Sequence, residues 1–198
     1  MRRTEFAAAE RRSLALAGAL NGLAAHRRAA LWQVETTDAG DELFRLGLAV
    51  AEDPAPAPLA RMTHLERLQA DYATLGLTTG AHPMALLRGQ LPGTCPAAGL
   101  RDLADGARVR VAGSVITRQR PGTAKGFCFI TLEDETGHVN AIVRPGLFEA
   151  RRLVINLEPA LLITGRLQNK GGVIHVMAQT IAPLPAAGLP AQPGHDYR

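Results

Sequence analysis

At 198 residues and 21.0 kDa the chain has room for one or two domains, and its 46% hydrophobic and 20% charged residues exclude wholesale disorder. The opening MRRTEFAAAERRSL lacks an uninterrupted apolar core, and LALAGALNGLAA is too short and too polar to cross a bilayer, so neither a cleaved leader nor a membrane anchor is expected. Two cysteines, Cys95 and Cys128, without a CxxC pair exclude a zinc knuckle and a disulfide framework, so the composition fits a soluble, cytoplasmic protein with no cofactor.

The first 34 residues read as two helices. FAAAERRSLALAG places Ala and Leu at helical spacing and stops at Gly18; NGLAAHRRAALWQV restarts after Asn21, with Arg27 and Arg28 expected on its outer face. A helix-hairpin-helix gripping a phosphate backbone would use a glycine-rich turn that is absent here, which favours a packing role. Residues 51–60, AEDPAPAPLA, form a Pro/Ala connector. MTHLERLQADYATLG then predicts an amphipathic helix. Thr63 and Glu66 form its capping box, Leu65, Leu68, Tyr72 and Leu75 one face, and Gly76 its end. His82-Pro83 opens a further short helix.

From Val109 the period changes to two. VRVAGSVITRQR sets Val109, Val111, Gly113 and Val115 on one face, with Arg110, Ser114, Arg118 and Arg120 toward the other. FCFITLED and HVNAIVRP are the next strands, joined at DETG. PGLFEARRLVIN reads as a helix, and ALLITGRLQNKGG with VIHVMAQTIAPL as a last hairpin. Five strands with a helix between the third and fourth is the order of an OB-fold barrel. The predicted class is α+β: a helical, helix-hairpin-helix-like region over 1–50, a Pro-rich connector with linker helices over 51–105, the barrel over 106–182 and a tail over 183–198.

Charge supports a polyanion partner for the barrel. Residues 106–182 carry ten Lys or Arg against five acids, whereas 36–105 are net acidic. An OB barrel binds single strands across its second and third strands and the adjoining loops, using cations for phosphates and flat side chains for bases. Arg118, Arg120 and Lys125 flank the first loop. Phe127 and Phe129 share a face of strand two with Thr131, and Asn140 and Arg144 share a face of strand three. Arg166, Asn169 and Lys170 cluster at the last hairpin. Either ring can instead lie inside the barrel, as buried Phe usually does. Glu133-Asp134-Glu135 reads as a solvated turn rather than a metal site, and no His has metal-ligand spacing. No nucleophile elbow and no phosphate loop occurs, so no catalytic residue and no metal site are assigned.

The strings RQRPGTAKGF, TLEDETG and GLTTGAHPM carry a resemblance to the C-terminal region of bacterial C-family DNA polymerases, in particular the error-prone, damage-inducible alpha-subunit branch. The resemblance covers about residues 10–182 and includes the late helical region, the linker and the OB domain. It implies a part in lesion-bypass synthesis in which this portion holds template or single-stranded DNA. The polymerase's acidic active site would lie in other domains. The partners implied are those N-terminal polymerase domains and accessory mutagenesis proteins. The rival reading is a protein-interaction module contacting the same partners. Family members also dock on a sliding clamp through a Gln-containing peptide. The comparable GDELFRLGL has Asp41 where the Gln is expected, and QADY at Gln69–Tyr72 falls on a buried stripe, so clamp binding is not expected.

Overall fold

The computed structural model describes the backbone of residues 6–45, 59–184 and 195–197, and side-chain surroundings for 6–36 and 59–184. Most of the Pro-rich connector, the tail from 185 to 194, and the side chains of Asp41, Leu43 and Phe44 lie outside the described residues. The chain forms two compact units, Met1–Gly80 and Ala81–Arg198.

In the first unit, α1 (Ala8–Ala17) ends as expected at Gly18, whose φ of 83° is the left-handed region that glycine enters freely. Helix α2 (Arg27–Arg45) begins later than the sequence suggested: His26 Nδ1 accepts from the Ala29 N–H at 3.1 Å, so His26 caps it. Helix α3 (His64–Leu75) has the predicted capping box, with Thr63 and Glu66 bonded reciprocally, and ends at Gly76. A small core of Ala15, Ala30 and Val34 joins α1 to α2.

Two expectations for this unit are corrected. Arg27 is not on an outer face; its guanidinium is largely buried and donates to Asp71 Oδ1 at 2.5 Å, while Thr78 Oγ1 donates to Asp71 Oδ2 at 2.7 Å. Arg28 pairs with Glu66, so both arginines tie α2 to α3. Asp71 consequently takes a buried place on α3 beside Leu68, whereas Leu65 and Leu75 are exposed. The apolar stripe loses to the ion pair because a buried charge must be paired.

The second unit opens with α4 (Pro83–Leu87), then β1 (Arg108–Gln119), β2 (Cys128–Asp134) and β3 (Gly137–Val143). Next come α5 (Pro145–Ala150), α6 (Arg152–Leu157), β4 (Ala160–Lys170), β5 (Val173–Pro183) and β6 (His195–Tyr197). The strands run β2-β3-β5-β4-β1, and β1 closes on β2, giving the five-stranded OB barrel. The short β6 adds in parallel beside Thr117–Gln119. Inward residues such as Val111, Ile130, Leu132, Val143, Leu161 and Ile163 fill the barrel.

Strand β1 is buried on both faces from Val111 to Val115. Its outer face at Ala112 is covered by Met84 and Leu87 of α4 with Leu184, a second core that alternation alone does not reveal. Gly165 of β4 sits opposite a bulge of β5, where Gln179 is the extra residue, and a Cβ there would lie 2.2 Å from the Met177 carbonyl oxygen. That close approach of backbones explains the glycine.

The acidic run is not a solvated turn throughout. Asp134 is buried and accepts from the Thr136 N–H and Oγ1, the Gly137 N–H, the Ala97 N–H and Arg88 Nη2. Arg88 also grips Glu135 in bidentate fashion at 2.7 and 2.9 Å. Burial alone would raise the Asp134 carboxyl, but the Thr136 and Ala97 hydrogen bonds and the Arg88 charge outweigh it and hold it below its ordinary value. Glu135 is likewise lowered, chiefly by its hydrogen bonds from Arg88. The acids staple the turn that follows α4 to the β2–β3 turn.

Candidate nucleic-acid interface

The register of β1 against β2 decides which side chains meet on the open face. Val115 opposes Leu132 and Thr117 opposes Thr131, so one extra residue of β1 is accommodated between them in a bulge. One inserted residue flips every later side chain to the other face. Gln119 thereby comes opposite Phe129 on the outer face, while Arg118 comes opposite Ile130, on the side of the barrel's end helices.

The two arginines expected on the groove are engaged elsewhere. Arg118 donates through Nε to the Ile155 carbonyl and through Nη2 to the Glu158 carbonyl, both at 2.6 Å. It thus satisfies carbonyls left unpaired at the end of α6. Arg120 lies over the Phe148 ring, 4.2 Å from its centroid, and pairs with Glu149 at 3.0 Å. Alternation from Arg110 predicted otherwise because the bulge has no clear composition signal.

Strand β2 alternates strictly, with Cys128, Ile130, Leu132 and Asp134 buried and Phe129, Thr131 and Glu133 half-buried. Three cross-strand pairs follow on the outer face: Phe129 with Ile142, Thr131 with Asn140, and Glu133 with His138. A groove of about 270 Å³ lies over the first two pairs, bordered by Gln119 and, from β5, by Val173 and His175. A wider groove of about 860 Å³ shares Asn140, Val173 and Ile174 with it and continues to His138, Thr136 and Arg101.

Of the two rings singled out by sequence, Phe129 lines the narrow groove. Phe127 precedes β2, half-buried, with its N–H donating to the Ala124 carbonyl. Lys125, held at φ 49°, and Arg144 are exposed and form no ion pair or hydrogen bond through their side chains among the described residues. They stand beside Gly126 and Pro145, which pack together. Arg166 donates to the Gly106 carbonyl at 2.9 Å. Asn169 donates to the carbonyls of Arg101 and Leu103, and Lys170 lies 3.7 Å from Asp105. These three hold the segment leading into β1. Gln119, Ile142, Val173, His175, His138 and Arg101 were not picked out by sequence; strand register brings the first five to this face, and Arg101 comes from the helical turn Ala97–Asp102.

Among the described residues no group of three or more His, Cys, Asp or Glu could hold a metal ion, and no helix is long and apolar enough to cross a membrane.

Residues 109–184 match a family described as an OB-fold nucleic acid binding domain, in agreement with the closed barrel. The second unit therefore contains an OB-fold barrel over the residues that match this family. Over nearly its whole length the chain is also similar to proteins named error-prone DNA polymerase. That of Aromatoleum aromaticum is 45% identical over 181 residues, covering 90% of this chain and 17% of the relative. That of Corynebacterium efficiens is 40% identical over 200 residues, covering 100% and 18%. The Alkalilimnicola ehrlichii protein is 48% identical over 168 residues, covering 84% and 16%. The chain is a homologue of a segment of the error-prone DNA polymerases and spans about a sixth of their length.

Proposed function

We propose that this chain serves an error-prone, lesion-bypass DNA polymerase by holding single-stranded or template DNA on the barrel's β2–β3 face. The observation that carries the reading is the groove over Phe129 and Asn140, floored by Phe129 and Ile142 and open to solvent, with Lys125 exposed in the loop before β2 and Arg144 exposed just past the end of β3. The phenyl ring supplies a stacking platform of about 1–3 kcal/mol per base, and the two cations take phosphates. Arg101 and His138 extend the track along the wider groove. Arg118, Arg120, Arg166, Asn169 and Lys170 act in this reading as supports that fix the loops around it. Nucleotide joining belongs to other parts of the polymerase, and this chain contributes neither catalytic residue nor cofactor.

The test is anisotropy titration of the chain with a labelled single-stranded oligonucleotide at several salt concentrations. Binding that weakens with salt, and is reduced by Phe129→Ala and Lys125→Ala but not by Arg166→Ala, supports the proposal. Absence of binding at low salt removes it.

A second reading, a module that docks on other polymerase domains or mutagenesis partners, is favoured by one feature. Leu153 and Leu157, one turn apart on α6, are 74% and 73% exposed.

A further inference from the structure

Resting on that reading, we propose that the groove distinguishes nucleobases by a hydrogen bond from the Asn140 side-chain amide to a carbonyl acceptor on a base stacked over Phe129. Thymine presents such carbonyls, and it is the base to which we commit.

Three observations on the groove carry the proposal. Thr131 Oγ1 donates to Asn140 Oδ1 at 3.0 Å across the β2–β3 ladder. That bond occupies the amide's acceptor and fixes its orientation, leaving the Nδ2 hydrogens without an acceptor among the described residues. Asn140 is exposed, so those hydrogens are ready to meet a ligand without first breaking a protein bond.

The second observation is position. Phe129 opposes Ile142, and Asn140 lies two residues back along β3, which makes Asn140 the diagonal neighbour of Phe129. Diagonal neighbours on one sheet face stand about 7–8 Å apart. A base centred on the ring therefore places an edge within reach of the amide.

The third is the arrangement of the surroundings. Phe129 and Ile142 make the floor on one side of Asn140, and Gln119, opposite Phe129 on β1, offers a second amide at the far edge of the same ring. A flat aromatic ligand with polar edges fits an apolar patch flanked by two amides. A phosphate fits less well, because no Lys or Arg is among the residues lining this narrow groove. Stacking alone tolerates every base; the oriented amide adds a preference that stacking lacks.

The experiment compares two oligonucleotides that differ only in the base edge, using the full chain and fluorescence anisotropy at fixed salt. One is a thymine oligomer. The other carries difluorotoluene, which keeps the shape and the stacking face of thymine but lacks its carbonyl acceptors. The wild type is expected to bind the thymine oligomer about five-fold more tightly, the ratio that one net hydrogen bond supports. Asn140→Ala should bring the ratio close to one while both oligomers still bind. Thr131→Val, which keeps the side-chain shape but frees the amide to turn, should also lower it. Equal binding of the two oligomers by the wild type, or an unchanged ratio in Asn140→Ala, overturns the inference and leaves the DNA-holding reading intact. Failure of the wild type to bind either one overturns both. Circular dichroism of each variant separates lost folding from lost contact, and the exposed Asn140 is chosen because its truncation leaves the core untouched.

Discussion

Gln119 stands directly across from Phe129, in the place that unbroken alternation along β1 would have denied it. The bulge between Val115 and Thr117 accounts for the exchange: it delivers an uncharged amide to the groove and sends Arg118 to the carbonyls ending α6. A cation that sequence assigns to DNA becomes a support of the barrel's end.

This exchange separates stability from binding. Arg118→Ala should lower stability by about 1.5–3 kcal/mol, the range for hydrogen bonds to a charged group, with the salt dependence of oligonucleotide binding unchanged. Lys125→Ala should do the reverse. It should leave the melting temperature nearly constant and lower the slope of log K against log salt by about 0.7, one phosphate contact on a single strand. Thermal denaturation and salt titration of both variants check the pair.

The rings should also differ. Phe129→Ala is expected to weaken single-strand binding by about 1–3 kcal/mol with an unaltered salt slope, because stacking is lost and phosphate contacts remain. Phe127→Ala should cost less binding, since that ring precedes the strand and the groove is floored by Phe129. Anisotropy titration of the two variants side by side measures the difference.

Acid should loosen the second unit through Asp134 and Glu135. Both carboxyls are held below their ordinary values of 3.8 and 4.5. A depressed carboxyl contributes stability that is fully present above its unfolded value and is lost as pH falls through the folded value. The melting temperature should therefore hold from neutral pH down to about 5 and drop below about 4. Asp134→Asn combined with Glu135→Gln should start lower at pH 7 and show a shallower acid decline. Calorimetry from pH 7 to pH 3 tests this.

In the first unit, the Arg27–Asp71 pair sets the packing of α2 on α3. Removing one partner leaves the other buried and unpaired, so Arg27→Ala or Asp71→Ala should each cost about 3–5 kcal/mol, and the double variant less than their sum. Gly18→Ala should destabilise as well. Its φ is 83°, and a Cβ there would fall 2.6 Å from Arg27 Nε. Urea denaturation of the four proteins gives the comparison.

Much of this structure was legible before any coordinates. Helix caps at Thr63 and Gly76, the stop at Gly18 and the order of five strands follow from local chemistry, where a residue's conformation depends on its neighbours in sequence. The face of Phe129 was legible too, because β2 alternates without interruption. What escaped was set at long range. The β1 bulge depends on pairing with β2. The burial of Arg27 depends on Asp71, 44 positions away. The hub at Asp134 depends on Arg88 arriving from the turn that follows α4. Asn140 was visible as a candidate, yet its oriented amide needed Thr131 opposite it.

Whether a strand of DNA lies on the β2–β3 face is the central question, and photo-crosslinking answers it most directly. An oligonucleotide carrying 5-iodouracil is bound to the full chain, irradiated, and the adduct located by mass spectrometry. Adducts within the peptide spanning β2 and β3, around Phe129, His138 and Asn140, are the expected result. Adducts confined to the helices of the first unit or to α5 and α6 would contradict the account.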